Sequence, residues 1–151
     1  MDAGVTTVVG EQQSYVLYAE DNPTDYLFFL RAFSRENPGL PLVHRENGKQ
    51  IKTYLLDCVA KKAPLPSVVV LDIKMPGLSG LDVLAFIRQH PRLHRLPVVL
   101  LSASEEQRDL DRAYDFRVNA YLVKPNRFQQ LKDLVKTMST FWVHYNRITY
   151  G

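Results

Sequence analysis

Five side chains capable of chemistry stand where short apolar runs end. Glu20 and Asp21 follow YVLYA, Asp72 follows SVVVL, Ser102 follows LPVVLL, and Lys124 closes AYLVK. Gathered in one crevice they would make a site of three carboxylates, a hydroxyl and an ammonium. Clustered carboxylates repel one another, so their pKa values rise or a cation joins them. A hard divalent ion with oxygen ligands relieves that repulsion, and a few carboxylates plus waters suit Mg2+. Lys124 brings a second positive charge, able to pair with Asp72 or with an anion attached there. A carboxylate beside Mg2+ and a lysine can serve as nucleophile toward a phosphoryl group, a transfer that needs mostly positioning and charge neutralisation. The Ser102 hydroxyl and nearby backbone N–H groups would donate to the remaining oxygens, leaving an aspartyl phosphate at Asp72. Taken singly, each residue has an ordinary reading: Asp72 as a turn or N-cap aspartate, Ser102 as a strand-end polar residue, Lys124 as a surface lysine. Their coincidence at successive strand ends is what the fold has to explain.

The elements that must position them are written as alternating patterns. VVVLDIKMPG, residues 68–77, is a β-branched run closed by Asp72 and a Pro76–Gly77 turn. That pattern predicts a strand buried on both faces of a parallel sheet. A weaker run, LPLVHR over residues 40–45, falls between the first two strong ones. Helical patterns separate the runs. NPTDYLFFLRAFSRE carries Asn22 as N-cap, Pro23 at the first helical position and Asp25 in the first turn. GKQIKTYLLDCVAKK follows Asn47, and LDVLAFIRQH follows Gly80 and is stopped by Pro91. SEEQRDLDRAYDF opens with Ser104 and Gln107 at capping-box spacing. A last long helix begins near Asn126. Strand and helix thus alternate five times, which predicts an α/β fold with a parallel sheet covered on both faces. Right-handed crossovers make a five-stranded doubly wound sheet of order 2-1-3-4-5, flavodoxin-like, the simplest solution. Its ligand crevice lies between the first and third strands at their carboxyl ends.

Composition narrows the function classes. A chain of 151 residues with 46% hydrophobic and 23% charged residues is ordinary globular material for one domain. The net charge of +3 is small and its basic residues are scattered, which argues against nucleic acid as a partner. No apolar stretch approaches the ~20 residues of a membrane helix, and MDAGVTTVVGEQQS lacks the pattern of a signal peptide. A single cysteine, Cys58, at helical spacing from Ile51, Tyr54, Leu55 and Val59, reads as a core residue of a cytoplasmic protein. His90 and His94 are four apart, but Pro91 between them argues against a metal pair; His44 and His144 stand isolated.

LYAEDNPTD, VVVLDIKMPGLSG, VVLLSAS and NAYLVKP resemble, in order and spacing, the signature segments of response-regulator receiver domains. The resemblance runs from about Tyr15 to Met138. It implies Asp72 as phospho-acceptor, Asp21 as direct Mg2+ ligand, Glu20 acting on the metal through water, and Lys74 giving its backbone carbonyl. It further implies that Ser102 and Lys124 bind the phosphoryl group and that Tyr121 is the aromatic switch. Phosphorylation by a partner histidine kinase would draw Ser102 inward and let Tyr121 rotate, remodelling the face made by the fourth helix, fifth strand and fifth helix. Segment 105–115, rich in charge and poor in large apolar residues, fits a movable element. Such a protein is no enzyme beyond autophosphorylation and slow autodephosphorylation. Two departures stand out: Ile73-Lys74 places a cation beside the acceptor, and Ser104 lies two residues past Ser102.

The expected organisation is a flexible arm over residues 1–14, a receiver over 15–140 and an extension of the last helix over 141–151. With so few residues after the receiver, the chain reads as a stand-alone response regulator whose output is a partner surface. Leu131, Val135, Met138, Trp142 and Tyr145 recur at spacings of 4, 3, 4 and 3. The first half of that stripe must cover the sheet. Phe141, Trp142 and Tyr145 lie beyond the usual end of a receiver and predict an association patch, in a homodimer or partner contact. A long aromatic last helix resembles the small response regulators that partner bacterial phytochromes, implying a phytochrome-type sensor kinase. Three rivals remain at this stage: a pseudo-receiver acting as a phosphorylation-independent interaction module, an FMN carrier, and a metal-dependent phosphatase. AEDNPTD is too acidic for a flavin phosphate loop, and Lys74 stands where a phosphatase would want its general acid.

Overall fold

Alternating side chains divide each strand between two cores. The computed structural model describes residues 14–150, so the expected arm over 1–14 lies, apart from Ser14, outside the described residues. Strands β1 (Val16–Ala19), β2 (Leu42–Arg45), β3 (Val68–Leu71), β4 (Val98–Ser102) and β5 (Ala120–Val123) form one parallel sheet of order β2-β1-β3-β4-β5. The order predicted from alternation is therefore the observed one. Leu17, Ala19, Val69, Leu71, Val98 and Leu100 face one layer. Val16, Tyr18, Val68, Val70, Val99 and Leu101 face the other. Burial on both faces is why these runs are continuously apolar rather than half polar.

The helices are α1 (Pro23–Glu36), α2 (Gly48–Lys61), α3 (Gly80–Gln89), α4 (Gln107–Asp115) and α5 (Phe128–Ser139). Phe29, Ala32 and Phe33 of α1 pack with Val135 and Met138 of α5 on one face of the sheet. Ile51 and Leu55 of α2, Leu81, Leu84 and Ile87 of α3, and Ala113 of α4 pack on the other. Cys58 is buried, as its helical spacing predicts. The α1 start is as read: Asn22 Oδ1 accepts from the backbone N–H groups of Thr24 and Asp25, with Pro23 at the first helical position.

Two expected helix ends need correction. Ser104 does not cap α4; Glu106 holds the N-cap position without a side-chain bond, and Ser104 lies in the loop before it. The Ser104 hydroxyl instead donates to Asp109 at 2.7 Å and accepts from the Glu106 N–H at 3.3 Å. Short hydroxyl side chains readily make such local turns in place of a cap. The last helix also does not simply continue. Thr140–Tyr145 forms a π-turn, closed by the Asn146 N–H donating to the Phe141 carbonyl at 2.7 Å. The wider turn breaks the 3.6-residue stripe, so Trp142 packs on the α1–α5 core while Tyr145 is 74% exposed. Beyond it the chain folds back: Ile148 and Tyr150 pack against the opposite core. The TFWVHY sequence, β-branched and aromatic, has weak α-helix propensity to resist this.

Candidate functional site

Strand register brings the chemistry together. Ala19 pairs with Leu71, so the next residues, Glu20 and Asp72, emerge side by side at the carboxyl edge of β1 and β3. Ser102 pairs with Val123, and the Lys124 N–H donates to the Ser102 carbonyl at 2.8 Å, fixing Lys124 beside them. After Asp72 the chain must turn sharply. Gly77 takes φ +76°, and a Cβ at Gly80 would meet the Asp72 carbonyl oxygen at 2.2 Å. Only glycine lets α3 begin this close to the loop after Asp72. The Gly80 N–H donates to the Ile73 carbonyl at 2.9 Å, closing the loop.

Lys124 Nζ is the centre of the arrangement. It donates to Glu20 at 2.7 Å, Asp72 at 2.8 Å and Asp25 at 3.0 Å. Burial disfavours the ammonium, yet the Asp72 and Glu20 carboxylates outweigh that and hold Lys124 above the ordinary lysine range. Glu20, only 1% exposed, also accepts from the Tyr18 hydroxyl at 3.1 Å and from the Asn22 N–H at 3.2 Å. Burial pushes its carboxyl upward, and the Lys124 contacts only partly offset this. Asp72 Oδ1 accepts from the Lys74 N–H at 3.3 Å, while the Lys74 side chain points to solvent.

Glu20, Asp21 and Asp72 each place a carboxylate oxygen within 4.8 Å of the others. The donor set is oxygen only, and Asp21 is exposed at the mouth, leaving room for waters. Hard divalent cations prefer such a site, so the residues present fit a divalent metal. Ser102 lies buried at the neighbouring strand end, its hydroxyl accepting from the Ser104 N–H at 3.1 Å. Tyr121 is half-buried, and its hydroxyl donates to the Ser104 carbonyl at 2.8 Å. Burial raises its phenol pKa.

The structure therefore gathers Glu20, Asp21, Asp72, Ser102, Lys124 and, through the loop, Tyr121. Phe141, Trp142 and Tyr145 lie elsewhere, past the far end of α5. Two acids at work escaped the sequence reading: Asp25, a third partner for Lys124, and Asp109, which receives Ser104. Their sole signal was position in the first turn of a helix, which acids occupy for the dipole alone. His44 is not isolated either; its Nε2 lies 2.8 Å from the Glu20 carbonyl and its ring stacks on Tyr26 at 3.8 Å.

Comparison with known proteins adds a family. Residues 16–136 match the response regulator receiver domain. The chain is 34% identical to the probable methanogenesis regulatory protein FilR2 of Methanothrix harundinacea over 147 residues, 97% of this chain and 94% of FilR2. It is 36% identical to response regulator Rcp1 of Synechocystis sp. over 83 residues, 55% of this chain and 56% of Rcp1. The solved Mn2+-bound form of Rcp1 superposes with a TM-score of 0.79 at 27% identity, covering 90% of this chain and 99% of that one. The phosphorylated cyanobacterial phytochrome response regulator RcpA superposes with a TM-score of 0.82 at 30% identity, covering 91% and 99%.

Proposed function

The chain belongs to the response regulator receiver domain family, and from that membership we propose that Asp72 accepts a phosphoryl group from a sensor histidine kinase and thereby switches an interaction face. The observation that carries the reading is the contact of Lys124 Nζ with Asp72 at 2.8 Å beside the Glu20–Asp21–Asp72 oxygen cluster. Asp21, Asp72 and the Lys74 backbone carbonyl would hold a divalent cation such as Mg2+, with Glu20 acting through water, and the ion would supply charge neutralisation for the transferred phosphoryl group. An Asp72 carboxylate oxygen forms a bond to phosphorus while the bond to the donor's leaving group breaks, and the electron pair departs with that group. Lys124 and the Ser102 hydroxyl receive the negative oxygens.

The switch runs through Ser104. The Ser102 hydroxyl oxygen accepts from the Ser104 N–H and can still donate its own O–H to the phosphoryl group. Drawing Ser102 inward therefore pulls on Ser104, whose loop also holds Tyr121 and Asp109. Movement of Ser102 thus reaches the α4–β5–α5 face through three hydrogen bonds. The likeness to RcpA supports a phytochrome-type kinase as donor; the likeness to FilR2 supports the receiver chemistry alone. A second copy of the chain is the partner on the α5 side. Ala120, Leu122, Leu134, Met138 and Trp142 line an open apolar groove there, and Phe141, 51% exposed, stands at its edge.

The test of the acceptor is an intact-mass spectrum after incubation with acetyl phosphate and Mg2+, beside Asp72→Asn. The expected result is one labile phosphoryl adduct that needs Mg2+ and is absent from the variant. An adduct persisting in Asp72→Asn, or none in either protein even with a cognate kinase, overturns the reading.

A further inference from the structure

Lys124 has three N–H donors and meets three carboxylates, one each at 2.7, 2.8 and 3.0 Å. Two of them, Glu20 and Asp72, belong to the oxygen cluster that fits a metal; Asp25 does not. We propose that Asp25 is a positioning residue for Lys124, holding the ammonium toward α1 so that it does not close over the oxygens a divalent cation needs. The inference rests on the phospho-acceptor reading above and assigns a role to a residue to which the resemblance gives none.

The geometry carries it in three steps. First, Asp25 is aimed by a rigid frame. Asn22 Oδ1 accepts from the Asp25 N–H at 3.1 Å, and Pro23 fixes the start of the same turn. Second, its carboxylate is 42% exposed, against 1% for Glu20 and 11% for Asp72. A part-exposed carboxylate costs little desolvation to pair and offers Lys124 a partner on the solvent side. Third, an ammonium and a divalent cation compete for the same two carboxylates, Glu20 and Asp72. Without Asp25, the Lys124 donor at 3.0 Å has only those two carboxylates left within reach. Lys124 would then crowd the metal ligands and weaken the cation's hold.

Calorimetric titration of Mg2+ into the full chain tests this, with Asp25→Asn, Asp25→Glu, Lys124→Met and the Asp25→Asn/Lys124→Met double variant. Asp25→Asn is expected to raise the Kd by about two- to fivefold, the range a part-exposed ion pair supports. Asp25→Glu is expected to restore most of the affinity. In the Lys124→Met background the effect of Asp25→Asn should shrink, because the residue it positions is gone. The same factor in both backgrounds would mean a through-space charge effect and would overturn the proposal. So would an unchanged Kd for Asp25→Asn while the parent binds Mg2+. A parent chain that binds no Mg2+ at all overturns the acceptor reading together with this one. Melting temperatures taken without metal separate a misfolded variant from a lost affinity, and Asp25→Glu keeps the proposal testable if the asparagine variant unfolds.

Discussion

Glu20 is the most buried acid of the crevice, and its ionised form is a standing cost to the fold. Burial raises its pKa above the ordinary carboxylate value of 4.5, and Lys124 offsets this only in part. The sign follows from proton linkage. The folded state binds more protons than the unfolded one between the two pKa values, so this contribution to stability is fully present below 4.5 and is lost as pH rises through the raised folded value. Glu20→Gln should therefore raise the melting temperature at pH 7, with about 2–4 °C for each kcal/mol relieved in a chain of this size. The gain should vanish below pH 4.5, where Glu20 is already neutral, and Mg2+ should no longer raise the variant's melting temperature as strongly as it does the parent's. Thermal melts at two pH values, with and without Mg2+, check both statements. Residues such as Glu20, Asp21, Asp72, Ser102 and Lys124 were legible because a polar group ending a buried apolar run is conspicuous. Asp25 and Asp109 were not, since an acid in the first turn of a helix is expected with or without a task.

Among the five α-helices, α4 is the least committed to the core. Ala113 is its one buried side chain, and Tyr114 is 57% exposed. Its amino end is held by Ser104 through Asp109, and its far end by Arg88, which donates to the carbonyl of Arg117 at 3.0 Å and to Asn119 at 2.8 Å. Arg88 does this while half-buried, and that partial burial, with Arg117 nearby, lowers its pKa to about 10. One end is thus clamped by a network and the other by one hydroxyl, which donates to Asp109 and accepts from the Glu106 N–H. Ser104→Ala removes both contacts but keeps the Ser104 backbone bonds to Ser102 and Tyr121. It should cost about 0.5–1.5 kcal/mol and speed amide exchange over residues 105–110, leaving residues 116–119 protected. Hydrogen exchange read by mass spectrometry decides it; uniform acceleration along α4 would show that the clamp is not at Ser104. Strand order and helix order were readable because β-branched runs and 3.6-residue stripes state their burial directly. The Ser104 turn and the π-turn at Thr140–Tyr145 were not, because both depend on which hydrogen bond wins locally.

Across the whole molecule, α5 joins the two ends of the sheet. It starts just past Lys124 at the crevice and delivers Thr140–Tyr145 to the opposite end, where Ile148 and Tyr150 cross to the other core. Trp142 is drawn inward by the π-turn, so the aromatic stretch is only partly available for association. Phe141 and Tyr145 remain outside, and of the two Phe141 stands beside the groove lined by Leu134 and Met138. A knob beside a hole on one face is the arrangement that a twofold axis makes self-complementary, each Phe141 filling the groove of the second copy. The groove takes Ala120 and Leu122 from β5, the strand whose Tyr121 is held by the Ser104 carbonyl, so in the function proposed above phosphorylation would bear on association through that strand. Sedimentation equilibrium should therefore return a dimer whose strength changes on phosphorylation. Phe141→Asp should weaken it by at least about tenfold, as expected for truncating and charging an aromatic anchor. Tyr145→Ala, at a side chain 74% exposed and turned off the stripe, should weaken it less. A monomer mass independent of concentration, with and without phosphate on Asp72, would remove the second copy from this face.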